Sequence, residues 1–138
     1  MTKEEFNRSL ASVLHTSASD IRDFYGMAEQ AGVIFVDCEC GFKHVPNFAA
    51  VLFRDPYSLQ PVGRDQPGLI EVISALPTSY YGQAVLTEDL GCLRGIDDCP
   101  CGRNGERFHF LSRVEHVEVR GCGDTFQSPE PEREYAHA

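Results

Sequence analysis

From Gly32 onward the chain breaks into short runs of β-branched and aromatic residues, each bounded by turn formers. The runs are GVIFVDC, FAAVLFRDP, PGLIEVISAL, QAVLTEDLG, RFHFLSRV and HVEVRG, in that order. Branched and ring-bearing side chains suit a pleated, half-buried surface. Asp55-Pro56 closes one run and Pro67-Gly68 opens the next, as turn chemistry requires. This succession limits the fold to one built mostly on antiparallel strands.

The N-terminus departs from that pattern. Thr2-Lys3-Glu4-Glu5 fits a capping box, in which hydroxyl and carboxylate satisfy orphan N–H groups reciprocally. Phe6, Leu10, Val13 and Leu14 follow at helical spacing and predict a helix from Lys3 to about Leu14 with one apolar face. A polar connection, Thr16 to Asp20, leads into IRDFYGMAEQ, where there is room for a short second helix. No internal repeat is present. The expected class is α+β, an N-terminal helix followed by a mostly antiparallel β region.

A chain of 138 residues suits one domain with a core. The expected domain covers residues 1–127. The remainder, SPEPEREYAHA over 128–138, has two prolines, three glutamates and few core formers, and reads as an acidic, disordered tail. The net charge of −9 argues against a nucleic-acid surface, which needs a basic stripe. No apolar run reaches membrane-spanning length and the first residues carry no signal-peptide pattern, so no membrane role and a cytoplasmic location are expected.

In that compartment six cysteines point to thiols or metal ligands rather than disulfides. They fall mainly in two clusters. DCECGFKHV carries Cys38, Cys40 and His44; GCLRGIDDCPCGR carries Cys92, Cys99 and Cys101. Zinc favours thiolate and imidazole in a closed tetrahedron, and two short ligand pairs from separate loops can supply it. In Cys99-Pro100-Cys101-Gly102, proline fixes the turn and glycine lets the backbone approach sulfur. The preferred set is Cys38, His44, Cys99 and Cys101, with Cys40 in reserve for Cys38. Such a site ties two loops together and leaves no open position, so its expected role is structural. The competing reading is buried cysteines acting as small hydrophobes.

Three further stretches carry a resemblance. YGMAEQ (25–30) resembles the Tyr-Gly-x-Thr-Glu motif of adenylate-forming enzymes, and LTEDLG (86–91) resembles their later motif ending Thr-Gly-Asp. CPCGRNGERFHFLSRVEHVEVRG (99–121) resembles the Cys-x-Cys-Gly-Arg and hinge stretch of phenylacetate-CoA-ligase-like members. With Arg120-Gly121-Cys122-Gly123-Asp124-Thr125, the set is similar to the C-terminal part of LuxE-type acyl-protein synthetases, over roughly residues 3 to 127. Ala28 stands where the superfamily has Thr. Leu86 and Glu88 replace Arg and Gly of the second motif, and Ser112 and Glu115 replace Gly and Asp of the hinge.

The resemblance implies a fragment of an adenylate-forming fold that activates a long-chain fatty acid with ATP and Mg²⁺. The acyl group then passes to the enzyme's own cysteine and on to a partner acyl reductase that makes aldehyde, as in bioluminescence. Cys122 would be the acyl-accepting thiol, between glycines that free its loop and beside Arg120. Glu29 would hold Mg²⁺, Tyr25 and Gly26 would lie beside the adenine, Asp89 would accept the ribose hydroxyls, and Arg113 would contact ribose or phosphate. The phosphate loop and the rest of a long N-terminal half are not in this stretch. That half is an expected partner, and the chain alone should not adenylate. Apolar surface where that half packs would favour homo-oligomers or domain exchange. Two other readings compete: a non-catalytic zinc-binding interaction module derived from this fold, and a small thiol enzyme pairing Cys122 with His109 or His116.

Overall fold

The protein is described by a computed structural model over residues 1–114. The capping box forms as the sequence predicts. Thr2 Oγ1 accepts from the Glu5 backbone N–H at 3.2 Å, and the Glu5 carboxylate accepts from the Thr2 N–H at 2.7 Å. Helix α1 runs Lys3–Leu14 and ends at His15, whose φ of 51° is left-handed and whose N–H returns to the Ala11 carbonyl. Only Ala11 of α1 is buried; Phe6, Val13 and Leu14 stay exposed. A firmer tie is ionic. Lys3 Nζ lies 2.7 Å from Asp37 and 3.3 Å from Asp23, and the buried Lys43 reaches the same two carboxylates at 2.8 and 3.3 Å.

The short second helix does not form. Ala18–Asp20 and Ala28–Gln30 are single 3₁₀ turns, and strand β1, Phe24–Gly26, lies between them. Pairing decides the matter. β1 runs antiparallel to β2, Ile34–Val36, with Tyr25 opposite Phe35. Tyr25 and Phe35 point inward, while Phe24, Ile34 and Val36 face out and are exposed. Gln30 anchors the second turn. It is fully buried, and its Nε2 donates to the carbonyls of Val72 at 3.0 Å and Gly82 at 2.7 Å.

The main sheet contains β3 (Lys43–His44), β4 (Ala49–Arg54), β5 (Pro67–Ser74), β6 (Ala84–Ile96) and β7 (Glu106–Arg113). All its pairings are antiparallel and the spatial order is β3-β7-β6-β5-β4. The α+β expectation therefore holds among the described residues. β3 and β4 occupy opposite edges although only residues 45–48 separate them. Edges of a flat five-stranded sheet lie about 19 Å apart, and the five Cα steps from His44 to Ala49 reach at most about 18 Å. The sheet consequently curls. Register shifts near Gly91 and Gly95 on β6 provide the bending. Gly91 is required there, because a Cβ would sit 2.8 Å from the Phe53 ring and 2.9 Å from Ile70.

Curling encloses one core of Tyr25, Val33, Phe35, Val51, Phe53, Ile70, Val72 and Phe108. Phe108 of β7 is central, with ring centroids 5.3 Å from Phe35 and 5.7 Å from Phe53. The β1–β2 ribbon thus caps the sheet through aromatic contacts. Among the described residues no helix is long and apolar enough to cross a membrane.

Candidate functional site

Two tight turns carry Cys38, Cys40, Cys99 and Cys101. After β2 the chain reverses at Cys38–Gly41: the Gly41 N–H reaches the Cys38 carbonyl at 2.9 Å, and Gly41 adopts a φ of 76°. The chain then returns as β3, which presents His44. Between β6 and β7, Cys99-Pro100-Cys101-Gly102 closes in the same way, with the Gly102 N–H on the Cys99 carbonyl at 2.9 Å and φ of 81°. Pairing of β3 with β7, His44 opposite Arg107, sets the two turns side by side.

This arrangement gathers Cys38, His44, Cys99 and Cys101, the four residues preferred from sequence, with ligand atoms all within 4.8 Å of one another. The Cys38 and Cys99 sulfurs are 3.9 Å apart, those of Cys99 and Cys101 3.2 Å, and Cys101 Sγ is 3.5 Å from His44 Nε2. A tetrahedral zinc centre sets neighbouring ligands about 3.8 Å apart for two sulfurs and about 3.6 Å for sulfur and nitrogen. The donor set and its spacing fit such an ion. Cys40 is exposed and outside the cluster, because the Cys38–Gly41 turn carries it away. Cys92 is buried within β6, its thiol on the Leu93 carbonyl. All five cysteines among the described residues are free thiols.

The electrostatics suit ligation. Burial, followed by the Arg103 and Arg107 charges, pushes the His44 imidazole below its ordinary pKa, which favours the neutral form that binds metals. Burial above all pushes the Cys99 thiol up to about 11. Desolvation also opposes ionisation of Cys101. It is outweighed by the Arg103 backbone N–H, the Cys99 and Cys38 thiols and the Arg103 guanidinium, so Cys101 lies below the usual thiol range. Around the turns, Arg107 lies 4.1 Å over the Phe42 ring and bonds Asp98 at 2.9 Å, while Phe42 stacks on His109 at 4.6 Å. Three thiols and one imidazole are a donor set that could hold a metal ion with four protein ligands.

A second cluster joins residues from the three motif stretches. Tyr25 Oη donates to Asp89 Oδ2 at 2.9 Å, and Arg113 Nε donates to Asp89 Oδ1 at 3.2 Å. Asp89 and Arg113 are direct cross-strand partners on β6 and β7. The Tyr25 ring is buried and lies 5.5 Å from Phe110 and 5.9 Å from Phe35. Burial, first among the causes, raises its phenol above the ordinary value, so it stays a donor. Gly26 and Glu29 are exposed; the Glu29 backbone carbonyl accepts from the Tyr80 hydroxyl at 2.6 Å. Cys122, Arg120, His116 and the expected tail at 128–138 lie outside the described residues.

Sequence reasoning missed several polar contacts that matter locally. Glu39, within the first turn, and Arg103, just after the second, pair at 2.8 Å. Lys43 and Asp37 form a buried ion pair next to His44 and Cys38. The available signal was a charge placed beside each cysteine pair, which does not reveal its partner.

The family model described as "Acyl-protein synthetase, LuxE" matches residues 1–129. The long-chain-fatty-acid--luciferin-component ligase of Aliivibrio fischeri is 27% identical over 123 residues, covering 88% of this chain and 32% of the relative. The protein of that name from Vibrio harveyi is 28% identical over 123 residues, covering 88% and 31% respectively. The chain spans about a third of the length of these curated relatives.

Proposed function

This chain belongs to the LuxE acyl-protein synthetase family, and from that membership we propose that it acts as the C-terminal portion of an ATP-dependent synthetase for long-chain fatty acids. The complete enzyme would form an acyl-adenylate and pass the acyl group to Cys122. The Cys122 thiolate would attack the acyl carbonyl carbon, forming a C–S bond. The C–O bond to phosphate would break, and AMP would leave with the electron pair. The thioester would then serve a partner acyl reductase. The carrying observation is the meeting of Tyr25, Asp89 and Arg113, from three motif stretches, at one point.

In this reading Asp89 receives the ribose. Each of its carboxylate oxygens accepts one bond here, and a carboxylate oxygen has a second lone pair for a hydroxyl. Tyr25 and Arg113 hold that carboxylate in place, Gly26 leaves space next to Tyr25, and Glu29 offers a hard oxygen for Mg²⁺ from an exposed position. Cys38, His44, Cys99 and Cys101 would hold a structural zinc, which supplies a cross-link between the two turns.

The test is acyl loading. The full chain is mixed with the remaining portion of a family synthetase, ATP, Mg²⁺ and a long-chain fatty acid, and its intact mass is measured. An acyl mass that hydroxylamine removes and that Cys122→Ser abolishes supports the reading. No acyl mass on the chain, with the zinc cluster loaded, favours the non-catalytic zinc-binding module.

A further inference from the structure

We propose that Arg103 and Glu39 form an outer latch over the thiol cluster, positioning the Cys101 sulfur for the metal and holding the two ligand-bearing turns in register. The inference rests on the reading that the cluster binds zinc. Arg103 Nη1 is shared between Glu39 Oε2 at 2.8 Å and Cys101 Sγ at 3.8 Å, while Nη2 reaches Glu39 Oε1 at 3.3 Å. Glu39 directly follows Cys38, and Arg103 lies two residues beyond Cys101. One forked ion pair therefore spans 64 positions to join the two turns at their ligands.

Two features separate this pair from an ordinary surface ion pair. The side chains are 52% and 57% exposed, and exposed pairs add little to stability. Yet the guanidinium also donates to a ligand sulfur. Three thiolates around a divalent cation leave one surplus negative charge, which an adjacent guanidinium offsets. An N–H···S contact also fixes the direction of the sulfur lone pairs. Partners of this kind tune metal sites, and their loss weakens affinity by about 10- to 100-fold. Arg107, the other guanidinium near the cluster, is committed to Asp98 and to the Phe42 ring. A lysine at 103 would keep the charge and lose the fork.

The experiment measures Zn²⁺ affinity of the full 138-residue chain by competition with a chromophoric chelator, and the thiolate-to-metal charge-transfer band after Co²⁺ substitution. Arg103→Gln and Glu39→Gln are each expected to weaken Zn²⁺ binding about tenfold and to shift the Co²⁺ band. Arg103→Lys should fall between them and the parent. The double variant should be little worse than either single one, since the pair acts as a unit. Arg94→Gln, which breaks the similarly exposed pair Arg94–Asp65 at 3.1 Å, is the control and should change neither readout. Parent-like affinity and spectrum in Arg103→Gln, or an equal loss in Arg94→Gln, overturns the latch while the zinc reading stands. A parent chain that takes up no Zn²⁺ at all overturns both.

Discussion

Tyr25 and Asp89 stand 64 positions apart and are joined by a buried hydrogen bond of 2.9 Å. The bond links the β1–β2 ribbon to the middle of the curled sheet, and Arg113 completes it from the next strand. Tyr25→Phe keeps the ring within its aromatic neighbours and removes only the donor. A carboxylate left short of a buried partner costs about 1–3 kcal/mol. Urea unfolding of Tyr25→Phe should show a loss in that range with an unchanged denaturant slope. A variant as stable as the parent would mean the bond contributes nothing net.

Metal content should separate the cysteines. Cys99→Ser is expected to lose bound zinc, because Cys99 lies between two other cluster sulfurs at 3.9 and 3.2 Å. Cys40→Ser, Cys92→Ser and Cys122→Ser should retain it in equimolar amount, read by plasma emission on purified protein. Chelation should raise amide exchange at 38–44 and 99–105 ahead of the rest of the sheet.

The ionic tie of α1 predicts a pH dependence with a definite sign. Partial burial pushes the Asp23 carboxyl upward, but the Lys43 and Lys3 ammonium groups together outweigh it and hold it below its ordinary 3.8. Its contribution is therefore fully present above about pH 4 and is lost as pH falls through the depressed value. Lys3 behaves oppositely. Burial lowers it, yet Asp37 and Asp23 together raise it above 10.5, so its contribution persists below that pH and fades above it. The stability gap between parent and Asp23→Asn should be constant near neutrality, narrow at the acid end as Asp23 takes up its proton, and narrow again at the alkaline end once its ammonium partners lose theirs. The gap for Lys3→Met should be constant near neutrality, narrow at the alkaline end as Lys3 loses its proton, and narrow also at the acid end once its carboxylate partners are protonated. Thermal melts across pH give both curves.

Adenylation should require the rest of the synthetase. ATP–pyrophosphate exchange with fatty acid is expected to be absent from the purified chain and to appear on adding the complementary portion. Cys122→Ser should leave that exchange intact and remove acyl loading. Exchange by the chain alone would show a complete ATP site within it.

Much of the architecture could be read locally. Thr2 and Glu5 mark the start of α1, and Asp55-Pro56 and Pro67-Gly68 mark the end of β4 and the start of β5. What escaped was set by distant pairing. Phe24–Gly26 is too short to announce a strand, and its state follows from Phe35 opposite Tyr25. Lys43–His44 is a strand only because β7 lies beside it. β6 continues past Gly91 to Ile96, since its register shifts let it bend instead of stopping. The four clustered ligands were legible because cysteine and histidine at short spacing carry their chemistry in the residue type. The Glu39–Arg103 pair was not, because charges on two turns carry no mark of whom they meet.

The strand order has a consequence for assembly in time. Cys38 must find Cys99 across 61 positions, and His44 must find Cys101 across 57. Closing a loop of that size costs chain entropy before any contact repays it. As the polypeptide leaves the ribosome, its first thiols therefore wait, open to oxidants and stray ions, until β7 has emerged beside β3. Any metal loading at the four ligands would thus follow the synthesis of β7, and a translation product truncated before β7 would carry the first ligands with no partners to meet.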